Sequence, residues 1–313
     1  MEGKDRRAAG AYRAPAVFAA DRVGGVNVGG TNPVVGTFTA GAVVASTARV
    51  AISSGPKLAN GADAHTITAS ALDANGNLNT SAATTFSFSS PGTGAALSAA
   101  TCTTATTGGS AGTCSVSLTA TTAGSYSVTA SLGGANVGGT NPVVGAFTAG
   151  SATAADSRVA ISAGPKIANG SDAYTITASA LDANGNLNTS SASTFSFSAP
   201  GAGATLSAAT CTTATTGGSA GTCSVTLSAT TAGSYNVTAT LGGANVGGTN
   251  PVTGTFTAGS VTATGSRVAI SSGTKIANGS DAYTITASAQ DANGNLNTSA
   301  ATTFSFSAPG TGA

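Results

Sequence analysis

From Tyr174 to Ala180 the chain alternates without a break: Tyr174, Ile176, Ala178 and Ala180 are apolar, and Thr175, Thr177 and Ser179 between them are polar. A period of two sends successive side chains to opposite faces, so this stretch predicts a strand with one buried and one wet face. Asp182-Ala183-Asn184-Gly185-Asn186 then interrupts the alternation. Asn-Gly tolerates the positive φ angles of a tight turn, so the strand is predicted to end there and the chain to turn back. The next alternating stretch, Thr194 to Ser198, places Phe195 and Phe197 on one face. Further strands are predicted over Arg158–Ile161, at Val225 and Leu227 after a hairpin around Cys211 and Cys223, over Ser234–Ala239 and over Val252–Thr257. No stretch keeps a helical period of apolar residues.

The pattern recurs. The segment KIANGSDAYTITASALDANGNLN at 166–188 has near-copies beginning at Lys57 and Lys275, each 109 residues from the next. A period of that size is a whole small domain, larger than the ~20–50 residues of a solenoid unit. Short strands with turn signals every ~8–12 residues describe an immunoglobulin-like sandwich, so the predicted fold is all-β, as tandem immunoglobulin-like β-sandwich domains. The run GGVNVGGTNPVVGTFTAG at 24–41 returns, slightly varied, at 133–150 and 242–259. The predicted organisation is therefore a disordered non-repeat tail over 1–23, terminal strands of a truncated repeat over 24–41, full repeats over 42–150 and 151–259, and a truncated repeat over 260–313. That layout is expected for a fragment of a longer repetitive protein. In the last segment it is expected to leave Tyr283, Ile285, Phe304 and Phe306 uncovered.

Composition narrows the partners. Only 7% of residues are charged and the net charge is +1, so there is no electrostatic case for nucleic acid or an anionic membrane. Hydrophobic residues make up 41% of the chain at strand periodicity, which argues against disorder despite 44 glycines. No apolar run is long enough for a transmembrane helix. The first 22 residues hold five of the eleven basic residues (Lys4, Arg6, Arg7, Arg13, Arg22), diluted by three acids, and lack the apolar core of a signal peptide.

Cys102, Cys114, Cys211 and Cys223 fall as one pair per repeat, 109 residues apart. The natural bridges are Cys102–Cys114 and Cys211–Cys223, each closing TTATTGGSAGT as a hairpin. Closing such a loop is worth about 3 kcal/mol in the chain-entropy model. Disulfides imply an oxidising compartment. Zinc is the competing reading, but the spacing without further Cys or His does not supply a tetrahedral ligand set.

Candidate chemistry is sparse. His65, the sole histidine, occupies the place of Tyr174 and Tyr283, and one histidine builds no nucleophile–base set. Asp63, Asp172 and Asp281, and Asp73, Asp182 and Asp291, recur in every copy, and a catalytic acid pair repeated in each domain of an array is not expected. No enzymatic activity, cofactor or catalytic residue is assigned. The Asp182-x-Asn184-Gly185-Asn186-x-Asn188 run offers oxygen ligands at alternate places, but its glycine is misplaced for an EF-hand loop and no Glu follows. The turn reading needs nothing further, and calcium stays open. The glycine-rich run at 24–30 lacks the lysine and the strand–helix context of a phosphate loop. Tyr126 and Tyr235, each after Ala-Gly-Ser, stand either for a tyrosine corner or for plain core packing.

The run NGSDAYTITASALDANGNLN, the TFSFS strand and GTCSVTLSATTAGSYNVTATLGG resemble the type 1 bacterial immunoglobulin-like domain of the invasin and intimin adhesins, over residues 24–313. The cysteine pair departs from the family's common pattern. The resemblance implies a non-enzymatic stalk or spacer on the bacterial surface, presenting an adhesive tip outside this chain and attached to the outer membrane through regions also outside it. Its partners are then the neighbouring repeats, with a host-cell or surface ligand reached through a domain not present here. The alternatives are repeats that themselves bind a glycan or host protein, and a phage or filament decoration module of the same fold.

Overall fold

A computed structural model describes residues 16–18, 22–23, 26–27, 34–308 and 310. The chain falls into two compact units, 1–149 and 150–313. The described residues are strands and turns, with no helix among them. In particular, no helix among them is long and apolar enough to cross a membrane, which says nothing of a β-barrel.

In the second unit, residues 158–257 carry eleven short strands. Arg158–Ile161, Ala173–Ser179, Thr222–Ala229 and Ala204–Leu206 form one antiparallel sheet in that spatial order. Thr210–Thr212, Thr194–Phe197, Ala239–Leu241 and Ala244–Asn245 form a second, and Gly233–Val237, Val252–Thr257 and Lys166–Ile167 a third. Thr238 alone separates Gly233–Val237 from Ala239–Leu241, so the expected strand over 234–239 is real but broken, its halves serving two ladders. Lys166–Ile167 pairs parallel to Val252–Thr257, closing an edge. In the first unit the strands Arg49–Ile52, Ala64–Ser70, Thr113–Ala120 and Ala95–Leu97 repeat the first of these sheets.

The predicted alternation sets the core. Tyr174 lies opposite Leu227, Ile176 opposite Val225 and Ala178 opposite Cys223. Phe195, Ile176, Leu227, Val237 and Phe256 are fully buried. Burying a side chain of that size stabilises by roughly 1.5–3 kcal/mol. Ala168, Ala178, Ala180 and Ala239 are buried beside them, and small residues of this kind let few aromatics fill a thin core. Gly254 belongs to the same packing: a Cβ there would stand 2.9 Å from Tyr174 Cδ2, so the bare backbone makes room for the ring.

Both tyrosine corners are present. The Tyr126 hydroxyl donates to the Thr122 carbonyl and that of Tyr235 to the Thr231 carbonyl, each at 2.8 Å.

Two turn expectations need correction. Cys211 lies on Thr210–Thr212, which pairs with Thr194–Phe197, whereas Cys223 lies on Thr222–Ala229, which pairs with Ala173–Ser179. The cysteines therefore do not face each other across a hairpin ladder; the long connection lets the chain change sheets, and the bridge ties two sheets together. The Asn184-Gly185 turn likewise does not reverse the chain into a paired strand, because Ala173–Ser179 and Thr194–Phe197 belong to different sheets. It makes a local loop closed by pairing of Leu181 with Leu187, with Gly185 alone at positive φ.

Of the expected tail and truncated N-terminal repeat, Ala16–Phe18 pairs with Val34–Gly36 and Arg22–Val23 with Val26–Asn27, while residues 1–15 lie outside the described residues. Over 260–308, Arg267–Ile270 pairs with Ile285–Ser288. Val268 there is 63% exposed, against 7% for its counterpart Val159, because no second sheet among the described residues covers this ladder. Tyr283, Ile285 and Phe306 are exposed and Phe304 half-buried.

Candidate functional site

The residues that do most in each repeat are those of the Asp-Ala-Asn-Gly-Asn-Leu-Asn run, and they act on a glycine far upstream. In the second unit Asp182 Oδ1 accepts the N–H groups of Asn184 and Asn186 at 2.9 Å each, and Asn186 Nδ2 reaches Oδ2 at 3.1 Å. The backbone closes the same loop, with the Gly185 N–H donating to the Asp182 carbonyl at 2.9 Å. Asp182 Oδ2 also accepts the N–H of Gly150 at 2.8 Å, and Asn188 Nδ2 donates to the Gly150 carbonyl at 2.6 Å. Gly150 is thus held by both its polar backbone groups. The same bracket recurs at Gly41, with Asp73 and Asn79, at 2.9 and 2.7 Å. It recurs again at Gly259, with Asp291 and Asn297, at 2.8 and 2.7 Å.

These glycines follow the last strand of one repeat and precede the first strand of the next. After Gly150 the chain stays pinned: the Thr153 N–H donates to the Leu181 carbonyl at 2.9 Å, and Arg158 Nη1 gathers the carbonyls of Ala155, Asp156 and Ser157. Arg49 and Arg267 do the same for the turns before them.

The electrostatics follow from the donors. The Asn77 amide, with the N–H groups of Gly41, Asn77 and Asn75, outweighs desolvation and holds the Asp73 carboxyl down to about 2. At Asp182 and Asp291 burial is the largest influence and pushes upward, yet the combined hydrogen bonds from Asn186 and Gly150, and from Asn295 and Gly259, bring the net shift below the ordinary value. The carboxylate oxygens are already engaged by N–H donors, whereas a hard cation would need those same oxygens turned toward it. Asp63 and Asp172 are also held low, first by the backbone N–H groups of Leu58 and Ile167, and each pairs with the lysine that opens its copy of the recurring segment (Lys57, 3.4 Å; Lys166, 3.2 Å). The recurring carboxylates are therefore loop fasteners.

The family model of the bacterial Ig-like domain (group 1) matches residues 47–145 and 156–257, more than half of the chain. The chain belongs to that family. Among solved structures it is similar to FdeC, an Escherichia coli adhesin, at 23% identity and a TM-score of 0.54, covering 84% of this chain and 79% of that one. It is similar to invasin, a bacterial integrin-binding protein, at 26% identity and a TM-score of 0.42, covering 80% of this chain and 48% of that one. Against InvD of Yersinia pseudotuberculosis the values are 20% and 0.49, covering 81% and 73%. No curated protein matches in sequence.

The other candidate residues of these Ig-like domains are structural in their contacts. His65 is buried, its Nε2 3.1 Å from the Ala146 carbonyl and its Nδ1 3.1 Å from Ser53 Oγ, with its ring edge-on to Phe147. Tyr174 sends its hydroxyl to the corresponding carbonyl, Thr255, at 2.8 Å, and meets Phe256 edge-on. The two side chains are alternative solutions to one packing problem. The sulfurs of Cys102 and Cys114 are 2.05 Å apart and those of Cys211 and Cys223 2.04 Å, and each bridge packs against its domain's core. The run at 24–30 lies mostly outside the described residues. Sequence reasoning missed the bracketed glycines. The signal available for them was the constant offset, from Gly to Asp and from Gly to Asn, in all three copies.

Proposed function

We propose that these repeats are a non-enzymatic stalk segment of a bacterial surface adhesin, spacing and stiffening an array whose adhesive tip and membrane attachment lie outside this chain. The observation that carries the reading is the bracketed glycine. A connector between domains is ordinarily where motion is allowed. Here each connector glycine has its N–H and its carbonyl bound by side chains of the domain that follows. Fixing a connector costs conformational entropy, about 1–2 kcal/mol per residue, and a spacer is the role that uses that rigidity. The cross-sheet disulfides fit an exported protein. The likeness to FdeC supports the fold of the reading, and an integrin-binding activity is a property of invasin.

The test is binding by the immobilised full chain to host cells and to a glycan array, beside a variant with the exposed loop 215–219 replaced by serine. A stalk gives no saturable binding in either form. Saturable binding that is lost with the loop would replace the stalk with a ligand-binding repeat.

A further inference from the structure

In the second unit the turn over 291–295 reaches back to the repeat before it. Asn293 Nδ2 donates to the Ala168 carbonyl at 3.0 Å, and Asn295 Nδ2 donates to the Thr230 carbonyl at 2.9 Å. Asn295 Oδ1 accepts the Ala232 N–H at 2.8 Å, which fixes which end of that amide is oxygen. Behind the turn, Asp291 takes the Asn295 N–H on Oδ1 and the Asn295 amide on Oδ2, both at 2.9 Å, so the reaching side chain is itself braced.

The receiving atoms are all backbone, and they sit on loops with little freedom. The Ala168 N–H donates to the Thr257 carbonyl at 2.8 Å. The Thr230 and Thr231 N–H groups share the Gly203 carbonyl, at 2.9 and 3.3 Å, and the corner hydroxyl of Tyr235 holds the Thr231 carbonyl from the other side. The tyrosine corner thus stiffens the loop that receives the next domain.

An internal comparison separates the turn from its docking. Residues 73–79 and 291–297 have the same sequence, DANGNLN, and Asn77 makes the same bonds to Asp73 that Asn295 makes to Asp291. Yet Asn77 is exposed, whereas Asn295 is only 7% exposed. The turn forms by itself, and the burial of Asn295 comes from what it meets.

We propose that the Asp-Ala-Asn-Gly-Asn turn is a docking knob whose partner is the end of a further copy of the same repeat, recognised through backbone atoms. The joint after residue 257 then has two attachments: Gly259 gripped by Asp291 and Asn297, and the knob seated on Ala168, Thr230 and Ala232. A single thread lets two domains pivot, and a second attachment away from the thread removes the pivot. Recognition of backbone rather than side chains lets copies whose loop residues differ be joined in the same way.

The docking takes its purpose from the stalk reading, but its test does not depend on it. Amide hydrogen exchange, read by NMR on the full chain, reports the Ala232 N–H directly. The expected result is that Ala232 is protected in the parent and exchanges about five- to tenfold faster in Asn295→Ala, the loss of one hydrogen bond. The Gly294 N–H, bonded to the Asp291 carbonyl at 3.1 Å, reports whether the turn itself survives. If Asn295→Ala melts the turn, Asn293→Ala removes a docking contact while leaving Asp291 braced by Asn295, and is expected to speed exchange at Ala232 with Gly294 unchanged. Equal exchange at Ala232 in the parent and in both variants overturns the docking. A chain that binds a host ligand yet shows the predicted exchange would overturn the stalk and leave the joint intact.

Discussion

Asp182 Oδ2 and the backbone N–H of Gly150 meet at 2.8 Å across 32 residues of sequence. The contact joins the connector entering a domain to a turn deep within it. Without the carboxylate, the N–H groups of Gly150, Asn184 and Asn186 all lose an acceptor. Asp182→Ala is therefore expected to destabilise its domain by about 2–4 kcal/mol, measured by urea unfolding of the full chain. A loss below about 0.5 kcal/mol, the scale of an ordinary surface change, would show that the bracket holds nothing.

Acid should undo the first unit through Asp73. Its carboxyl is held down to about 2 in the folded protein against an ordinary 3.8, by the Asn77 amide first and then by backbone N–H groups. A depressed folded value means that the unfolded chain binds the proton more readily. The stabilisation is then complete above the ordinary value and is lost as pH falls from about 3.8 toward about 2. Urea midpoints followed down that range are expected to fall, and Asp73→Asn to flatten the decline. An unchanged slope in that variant would assign the acid sensitivity elsewhere.

The bridge between Cys211 and Cys223 closes a separation of 12 residues and ties two sheets. Replacing both cysteines with serine is expected to cost about 3 kcal/mol, chiefly by freeing the unfolded chain. Melting the parent with and without reductant should reproduce the difference. Identical melting in all forms would mean the sheets need no covalent tie.

Gly247 is a steric requirement of the connector region. A Cβ there would fall 2.0 Å from the Ala155 carbonyl oxygen and 2.6 Å from Arg158 Nη1. Gly247→Ala is expected to cost about 3 kcal/mol, because the obstacle is backbone. Gly218→Ala, with nothing within 4 Å of its new methyl, is the control and should stay within about 0.5 kcal/mol. Equal stability of the two variants would contradict the close approach.

Legibility followed how local each feature is. The Tyr174 and Phe195 strands were readable because their buried faces carry large side chains at a strict period of two. Lys166–Ile167 and Ala204–Leu206 were not, being too short to show a period. Gly217-Gly218 between the cysteines looks like a hairpin turn, and nothing nearby in sequence records that the flanking strands pair with different partners. The Asp182 turn was legible as a turn, while its hold on Gly150 is a tertiary contact that only the constant offset between copies betrays. The alternation of His65 with Ile67 and Ala69 reads as a core or semi-buried strand residue, and it is buried, whereas its bond to the Ala146 carbonyl, equivalent to that of Tyr174 to Thr255, depends on the facing sheet.

Gripped at both polar backbone groups, the connector glycines are expected to be rigid. Backbone 15N relaxation of the full chain measures this at Gly150 and Gly259 themselves. Order parameters of about 0.85, equal to those of neighbouring strands, are the predicted result. Values below about 0.6 at these two glycines, with ordered strands on either side, would make the connectors flexible tethers and rule out a stiffened array.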